Sequence, residues 1–334
     1  MKPTIKDVAQ ASGISVATVS MALNNRSGVS EATRKKVLRV AREMNYVPNY
    51  SARSLVMQDS SCIGLMVPEI QNPFYSAIVD IMTCIAQDRG YTLSLGITNN
   101  SPKQEEIYTR MFLSHGVRGV IVAPMLTHES ESGSLDLLRA ANIPIVFCTD
   151  DYAESTEPLV MCDYARGEYE ATNYLIGRGM RKFCFVSTSM SANFSRLRYE
   201  GYIRALREAG IEENGKREMM VYAPRYNYAY EITDRIIDDL PDAVVCINDI
   251  MTMAIMKRMN ERGIRVPRDV SLMGFDDIMF SELLSPPLTT VRQPIYEICE
   301  KSMQILEEKI QSGEYPAERV YLVPPELMIR ETTV

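Results

Sequence analysis

Polar side chains follow several predicted strands of this chain, where they could bind a small ligand through hydrogen bonds. Asp150, Asn248 and Asp276 each lie at the end of a short apolar run, and Thr98 lies at the end of another. In parallel α/β sheets, ligands bind beyond the carboxyl ends of the strands. Carboxylate and amide groups gathered at such an edge would exchange hydrogen bonds with a polar ligand. The spacing therefore predicts a ligand site at the carboxyl edge of a parallel sheet.

The sequence lacks the common motifs of enzyme catalysis and cofactor binding. It contains no GxGxxG after a strand, no GxxxxGKS or GxxxxGKT, no GxSxG and no HExxH. The two histidines, His115 and His128, lie near no cysteine or aspartate cluster. The seven cysteines are odd in number and form no CxxC pair. We therefore predict no catalytic residue, no cofactor, no metal site and no disulfide framework.

Strands and helices are predicted to alternate from residue 61 onward. The predicted strands are Ile63–Val67, Thr92–Gly96, Gly119–Ala123, Ile145–Cys148, Leu159–Cys162, Phe183–Ser187, Val244–Ile247 and Val270–Gly274. The predicted helices are Pro73–Arg89, Pro102–His115, Asp163–Arg178, Ser195–Gly210, Tyr228–Leu240, Asp249–Gly263 and Pro294–Ser312. Such alternation predicts parallel sheets with helices on both faces. Because the segment is too long for one such sheet, we expect two doubly wound α/β lobes.

Charge divides the chain into a small basic head and a large acidic body. Residues 1–57 contain nine Lys or Arg and three Asp or Glu, a net charge of +6, whereas the remainder carries −13. A basic segment of this kind favours contact with a polyanion such as nucleic acid. The alternative from charge alone is a solvated basic helix face with no partner.

The head is predicted to contain three short helices. Thr4 and Asp7 form a capping box for a helix from Ile5 to about Ala11, which Ser12 and Gly13 end. Ser15 caps a second helix at Val16–Leu23, and Ser30 caps a third at Glu31–Met44. The tight turn between the first two helices is typical of a helix-turn-helix, so the head is expected to be all-α.

The second helix has two distinct faces. Val19 and Leu23 are spaced to bury inward, whereas Ala17, Met21 and Asn24 face the other way, with Val16 and Ser20 beside them. Slender outward side chains would let the helix lie close to the floor of a DNA groove. A plain three-helix bundle without a DNA partner is the alternative.

A fourth, marginal helix is predicted after Pro48. Asn49 could cap a helix from Tyr50 to about Met57, which exposes Leu55 at its tip. Because so short a helix is unstable alone, it needs a partner.

The head and the segment after it resemble the DNA-binding head and hinge helix of the lac/gal repressor family. The matching stretch reads TIKDVAQASGISVATVSMALNNRSGVSEATRKKVLRVAREMNYVPNYSARSL. The resemblance implies that the head reads the major groove of operator DNA and that paired hinge helices press Leu55 into the minor groove. The DNA-binding residues expected together from the helix pattern and the resemblance are Thr4, Ser15, Val16, Ala17, Thr18, Ser20, Met21, Asn24, Tyr46, Asn49, Ala52 and Leu55. Met21 departs from the family, many members of which have arginine there.

The body resembles the regulatory core of the same family, which is similar to periplasmic sugar-binding proteins. The matching stretches are IGLMVPEIQNPFYSAIV, GVRGVIVAP, CDYARGEYEATNYLIGRGMRKFCFVS, RLRYEGYIRAL, AVVCINDIMTMAIMKRMNERGIRVPRDVSLMGFDD and SPPLTTVRQP. The resemblance implies three crossings between the lobes, near Asp163, Val291 and Val323. The implied domains are a head at 1–48, a hinge at 49–60, an N-terminal lobe at 61–162 and 291–322, and a C-terminal lobe at 163–290 and 323–334.

The resemblance also places a small effector between the lobes. It implies that Phe74 and Tyr75 line the cleft and that Arg198 donates two hydrogen bonds to a hydroxyl or carboxylate. It implies that Asp276 accepts hydrogen bonds from effector hydroxyls. Further implied site residues are Asp163, Asn248 and, as an aromatic face, Tyr226. From the residues alone, Asn248 could instead cap a helix and Arg198 could be a surface charge.

Together these features predict a homodimeric repressor whose affinity for operator DNA is controlled by a sugar-like effector. The chain ends in LMIRETTV without leucine heptads, which favours a dimer over a tail-assembled tetramer. The sequence leaves open whether the effector releases or promotes DNA binding, and whether a protein corepressor is used. The alternatives are a solute-binding protein and a sugar-processing enzyme.

The sequence also predicts where the protein works. No apolar run reaches the roughly 18 residues of a membrane-spanning helix, and residues 1–10 contain no apolar stretch typical of a secretory signal. We therefore expect a cytoplasmic protein that is associated with the nucleoid when it binds DNA.

Overall fold

The computed structural model describes residues 3–23, 27–46, 61–125, 133–190, 192–212 and 218–334. The chain forms two compact units, residues 1–60 and residues 61–334, which are called here the head and the body. The predicted hinge residues Asn49, Ala52 and Leu55, and Asn24 in the head, lie outside the described residues.

The described part of the head contains three helices, as predicted. These are α1 (Ile5–Ser12), α2 (Val16–Leu23) and α3 (Glu31–Glu43). The predicted capping box at the start of α1 is confirmed, because Thr4 N–H donates to the Asp7 carboxylate at 2.7 Å and Asp7 N–H donates to the Thr4 hydroxyl at 3.4 Å. Gly13 ends α1 in the left-handed region, with φ of 66°.

The two predicted caps of α2 and α3 are present as well. The Ser15 hydroxyl accepts from Thr18 N–H at 3.2 Å, and the Ser30 hydroxyl accepts from Thr33 N–H at 3.3 Å. The head is therefore defined locally, by side chains that satisfy the free backbone N–H groups of each helix start.

A small apolar core holds the three helices together. Val8, Val19 and Val37 contribute one fully buried side chain from each helix. Ala22 of α2 is also buried, whereas Leu23 is only half-buried. The buried face of α2 is therefore formed by Val19 and Ala22, whereas the sequence predicted Val19 and Leu23.

The body contains two six-stranded sheets with helices between the strands, which confirms the predicted fold class. The strands are β1 (Cys62–Val67), β2 (Thr92–Ile97), β3 (Val120–Val122), β4 (Ile145–Cys148), β5 (Leu159–Cys162), β6 (Phe183–Ser187), β7 (Glu218–Met220), β8 (Ala243–Cys246), β9 (Ser271–Asp276), β10 (Thr289–Arg292), β11 (Val320–Val323) and β12 (Glu326–Met328). The helices are α4 (Pro73–Asp88), α5 (Pro102–His115), α6 (Asp136–Ala140), α7 (Tyr164–Gly177), α8 (Asn193–Glu208), α9 (Tyr226–Asp238), α10 (Asp249–Glu261) and α11 (Ile295–Ser312).

Each sheet forms the centre of one lobe. The first has the order β11-β5-β4-β3-β1-β2, with every neighbouring pair parallel. The second has the order β12-β10-β9-β8-β6-β7 and is parallel except for β10 and β12. Strands such as β1 and β9 are almost entirely buried because helices cover both faces of a parallel sheet.

The chain changes sheets three times, after β5, after β10 and after β11. Strand β10 continues through Arg292 in the second sheet, so the predicted segment change at Val291 falls inside that strand. Val323 is still part of the first sheet, where it pairs with Cys162. The sequence pattern missed β7, β10, β11 and β12.

Candidate functional site

A cavity of about 120 Å³ lies between the two lobes of the body, at the carboxyl ends of several strands. It is lined by Asn72, Phe74, Tyr75, Pro124, Met125, Thr149, Asp150, Asp151, Ala153, Tyr164, Ala192, Asn193, Phe194, Arg198, Pro224, Ile247, Asn248, Asp276 and Gln293. Aromatic and apolar side chains alternate with a few polar groups, as is typical of small-molecule sites.

Arg198 projects from α8 into the wall of this cavity. Its side chain is buried, and its guanidinium lies 4.1 Å from the ring centroid of Tyr164 and 4.0 Å from that of Phe275. One terminal nitrogen donates to the carbonyl oxygen of Phe194 at 3.1 Å, and the other lies 3.6 Å from the Asp276 carboxylate. The Nε atom has no hydrogen-bond partner among the described residues. Arg198 is therefore a packed interior cation rather than the surface helix charge considered as an alternative.

Asp276 ends β9 and faces Arg198. Its φ of 118° is a strained value for a residue with a side chain. Gln293 donates to its carboxylate at 2.7 Å. Burial raises the pKa of Asp276 to about 8, although the nearby Arg198 acts in the opposite direction. The strained backbone and the buried carboxyl are both features of residues held in place for a function.

Asp249 holds the segment after Asp276 in position. Its buried carboxylate accepts hydrogen bonds from Ile278 N–H at 3.0 Å, from the Ser281 hydroxyl at 2.6 Å and from the Thr290 hydroxyl at 2.5 Å. Asp249 therefore ties the start of α10 to β10 and to the turn after β9. The sequence placed Asp249 at the start of a predicted helix but did not show that it holds this turn.

Asp150 lies at the end of β4 and connects the two lobes. Its carboxylate accepts from Asp151 N–H at 2.9 Å and, across the cleft, from Phe194 N–H at 3.2 Å. The side-chain amide of Asn193 also donates to Asp151 across the cleft, at 3.1 Å. Burial raises the pKa of Asp150 to about 7. Sequence reasoning marked Asp150 as a strand-end residue without naming it as a site residue, because its partners lie on a distant helix.

Phe74 and Tyr75 line the cavity from the first turn of α4. The Asn72 side chain caps this helix by accepting from Phe74 N–H at 3.1 Å. The two buried rings pack edge to face, with centroids 5.1 Å apart. They present a rigid aromatic surface, which suits the apolar face of a sugar-like ring.

Two predicted effector residues lie elsewhere. Asp163 caps α7 by accepting from Arg166 N–H at 3.0 Å and does not line the cavity. Tyr226 begins α9, is exposed, and stacks on Tyr230 at 5.9 Å beside a separate surface groove. The structure therefore does not bring Asp163 and Tyr226, which the resemblance implied, to the cavity with the other predicted effector residues.

Asn248 combines the two roles that its position suggested. It lines the cavity, and its side-chain oxygen accepts from Met251 N–H at 2.8 Å at the start of α10. Its amide nitrogen donates to the carbonyl oxygen of Pro224 at 3.2 Å.

In the head, α2 presents the small apolar face that was expected. Val16 and Ala17 are exposed, and Ser20 and Met21 are half-buried. The hydroxyls of Ser15 and Thr18 lie 2.8 Å apart at the start of α2.

Two further predicted DNA contacts also serve the fold of the head. The Thr4 hydroxyl is part of the capping box, and Tyr46 packs against the small core. Burial raises the pKa of the Tyr46 hydroxyl.

A helix-turn-helix head and a two-lobed body with an interlobe cavity, in one chain, define a DNA-binding regulator that responds to a small ligand. Comparison with known proteins leads to the same class. Residues 4–49 match the bacterial regulatory proteins of the lacI family, and residues 172–333 match a periplasmic binding protein-like domain.

Similar curated proteins extend over the whole chain. The transcriptional regulator DegA of Bacillus subtilis is 32% identical over 336 residues, covering 100% of this chain and 98% of its own. The transcriptional repressor PurR of Vibrio atlanticus is 36% identical, covering 98% of each chain. The chain therefore belongs to the lacI family of bacterial transcriptional regulators, which confirms the resemblance found in the sequence.

Solved structures show the same architecture. The lac repressor dimer bound to operator and the anti-inducer ONPF is 25% identical, with a TM-score of 0.86 and full coverage of both chains. The CelR–cellobiose complex is 27% identical, with a TM-score of 0.73 and 99% coverage of each chain. No helix in the described ranges is long and apolar enough to span a membrane.

Proposed function

We propose that this protein is a homodimeric transcriptional repressor whose affinity for operator DNA is set by a small polyhydroxylated effector in the interlobe cavity. The observation that carries the proposal is the position of the cavity, which is lined by polar groups of both lobes in a chain with a helix-turn-helix head. The relatives that bind operator DNA and sugars support it.

The effector would act by contacting both lobes at once. Asp150 and Phe74 belong to one lobe, and Arg198 and Asp276 belong to the other. A ligand that binds one interlobe arrangement more tightly than another shifts the population toward it. Asp150 already joins the lobes through Phe194 N–H, so an effector that displaces this contact would change the lobe angle.

The head would read DNA with α2. Val16 and Ala17 are exposed and small, so α2 can approach the bases closely and contact thymine methyl groups. Ser20 supplies a hydroxyl, and Met21 replaces the arginine of many family members, so no strict guanine requirement is expected opposite Met21. Such a role on chromosomal DNA would place the protein in the cytoplasm.

An apolar groove on the body would form the dimer contact. It is lined by Tyr226, Ile250, Met253, Met256, Lys257, Asn260, Glu261, Leu284 and Ser285. Close by in sequence, Met279 and Leu283 are 67% and 70% exposed. Exposed apolar side chains in such numbers are typical of a protein interface.

The dimer contact can be broken by one charge. Leu284→Asp should convert the dimer to a monomer in analytical ultracentrifugation, because it places a carboxylate on the apolar surface. Glu282→Ala, which changes an exposed polar residue of the neighbouring segment, is the matched control. Monomers in the unmodified protein at micromolar concentration would contradict a homodimer.

Two measurements test the regulatory function together. A thermal-shift screen over sugars, nucleosides and sugar phosphates should reveal an effector, since a ligand at about 100 times its Kd adds roughly 2.7 kcal/mol of stability. Selection of bound sequences from random DNA should yield a two-fold symmetric site, and the effector should alter affinity for it. A ligand that leaves DNA affinity unchanged would argue for a solute-binding role instead.

A further inference from the structure

One ion pair connects the two lobes of the body beside the cavity. A terminal nitrogen of Arg225 lies 3.2 Å from the Glu69 carboxylate and donates a hydrogen bond to it. Glu69 lies in the loop after β1 of the first lobe, and Arg225 directly precedes α9 of the second lobe. Every other ion pair in the described ranges joins residues of a single lobe or of the head.

The two members of this pair are buried to different extents. The side chain of Glu69 is 11% exposed, whereas that of Arg225 is 51% exposed. Arg225 is the one basic residue of the described ranges that pairs with Glu69. Because a buried charge without a partner is costly, the Glu69 carboxylate is compensated only while Arg225 lies beside it. The pair is therefore present only when the lobes are together.

The pair lies close to the cavity without forming its surface. Neither Glu69 nor Arg225 lines the cavity, but Asn72 and Pro224, which are near them in sequence, do. The exposed half of the Arg225 side chain faces solvent. Substitutions of Glu69 and Arg225 therefore alter the contact between the lobes and leave the cavity lining unchanged.

We propose that Glu69 and Arg225 form a latch that holds the two lobes closed over the cavity when no ligand is present. An interaction that exists in only one of two arrangements shifts the population toward that arrangement. Residues of both lobes line the cavity, so a ligand enters while the lobes are apart. The latch therefore sets how often the cavity opens. Its effect on DNA affinity rests on the proposed function, whereas the latch itself does not.

The backbone N–H of Phe194 reports whether the lobes are together. It donates across the cleft to Asp150 at 3.2 Å. As the second residue of α8, Phe194 has no carbonyl acceptor within its own helix. This amide is therefore protected from hydrogen exchange while the lobes are closed and exchanges when they separate. Hydrogen–deuterium exchange mass spectrometry of the full chain without ligand measures its rate, at a pH of about 8 that keeps Glu69 ionised.

Removing either charge should open the latch. Arg225→Gln should speed exchange of the Phe194 amide about two- to fivefold, as expected for loss of a half-exposed ion pair. Glu69→Gln should do the same, and the two substitutions together should add no further increase, because each removes the same interaction. Arg225→Lys keeps the charge and should retain most of the protection. The control Arg265→Gln removes an ion pair with Asp269 inside the second lobe and should leave the rate unchanged.

Salt and the pattern of exchange complete the test. Added sodium chloride screens the pair, so it should speed exchange of the Phe194 amide in the unmodified protein and have less effect in Arg225→Gln. Unchanged exchange in Arg225→Gln would overturn the latch. Faster exchange that extends to the buried strand β8 would also overturn it, because the second lobe itself would then be destabilised.

DNA binding separates the latch from the proposed function. If the arrangement of the lobes controls the head, Arg225→Gln should change affinity for the selected DNA site and Arg265→Gln should not. Faster exchange with unchanged DNA affinity would support the latch and contradict control of DNA binding by the lobes. Changed DNA affinity with unchanged exchange would contradict the latch and leave the regulatory proposal standing.

Discussion

The head and the body place their functional residues in opposite surroundings. In the head, α2 exposes the small apolar side chains of Val16 and Ala17. In the body, the cavity buries the charged groups of Arg198 and Asp276. A helix that reads DNA must be exposed, because it contacts base edges and phosphates on the surface of the duplex. A small ligand is instead enclosed in a cavity whose hydrogen-bond donors and acceptors are already in position before it binds. Substitutions should therefore affect binding alone in the head, and binding together with stability in the body.

The largest effect is expected from Arg198→Met. Removing the buried guanidinium breaks its pair with Asp276 and its hydrogen bond to the Phe194 carbonyl oxygen, so the free energy of unfolding should fall by about 3–5 kcal/mol. Urea denaturation followed by circular dichroism measures the change. Arg198→Lys keeps the charge but loses the planar stacking between the rings, and it should lose less stability. If the free energy of unfolding falls by less than about 1 kcal/mol in Arg198→Met, then Arg198 and Asp276 do not form a pair in the packed interior.

The next effect concerns the hinge segment, which lies outside the described residues. Leu55→Ala should weaken specific DNA binding by about 2–3 kcal/mol, because an apolar wedge that unstacks a base step is lost. Affinity for random DNA should barely change, since that binding depends on phosphate contacts. Fluorescence anisotropy on selected and random duplexes checks both values. Equal losses on the two duplexes would exclude the wedge.

The same contrast explains what could be predicted from the sequence. The boundaries of α2 and the capping box of α1 were predicted correctly because they depend on neighbours within three or four residues. Phe74 and Asp276 were placed in the cavity through the family resemblance. The partners of Asp150 could not be predicted, because Phe194 is far along the chain and meets it only when the lobes come together.

The differences between the sequence reasoning and the structure have the same physical origin. The resemblance implied Tyr226 as an aromatic face of the site, but Tyr226 does not line the cavity, because the direction of a side chain on the first turn of a helix depends on how that helix packs. Glu168 was overlooked because a glutamate among helix residues is usually exposed. Its burial follows from the packing of α7 against α8, where Gly201 lets the helices approach so closely that a Cβ would collide with the Ala165 carbonyl.

In the head, Met21→Arg should add a preference for guanine in the bound DNA without lowering the folding stability of the protein. Arginine can donate two hydrogen bonds to guanine, so a new guanine preference of about 1–3 kcal/mol is expected at the base pair that faces this position. Selection from random DNA with the two proteins reveals the difference. A guanine that is already required by the unmodified protein, and remains required in Met21→Ala, would show that another residue reads this base pair.

The smallest effect concerns pH, where the two regions should respond in opposite directions. Hydrogen bonds from Thr4 lower the pKa of Asp7 in the head, so its contribution to stability is present above the ordinary value of 3.8 and is lost as the pH falls. Burial raises the pKa of Glu168 in the body to about 8. Its contribution is therefore complete below the ordinary value of 4.5 and is lost as the pH rises toward 8.

Glu168→Gln should flatten this pH dependence. Glutamine cannot ionise, so the stability of the variant should fall less than that of the unmodified protein as the pH rises from 5 to 8. Thermal denaturation of both proteins across this range measures the difference, and Glu297→Gln, which removes an exposed carboxylate, is the control. If the two curves stay parallel, Glu168 does not titrate in the folded body within this range. The buried carboxyls of Asp150 and Asp276 would then be the groups to substitute next, because burial raises the pKa of each to about 7 and about 8.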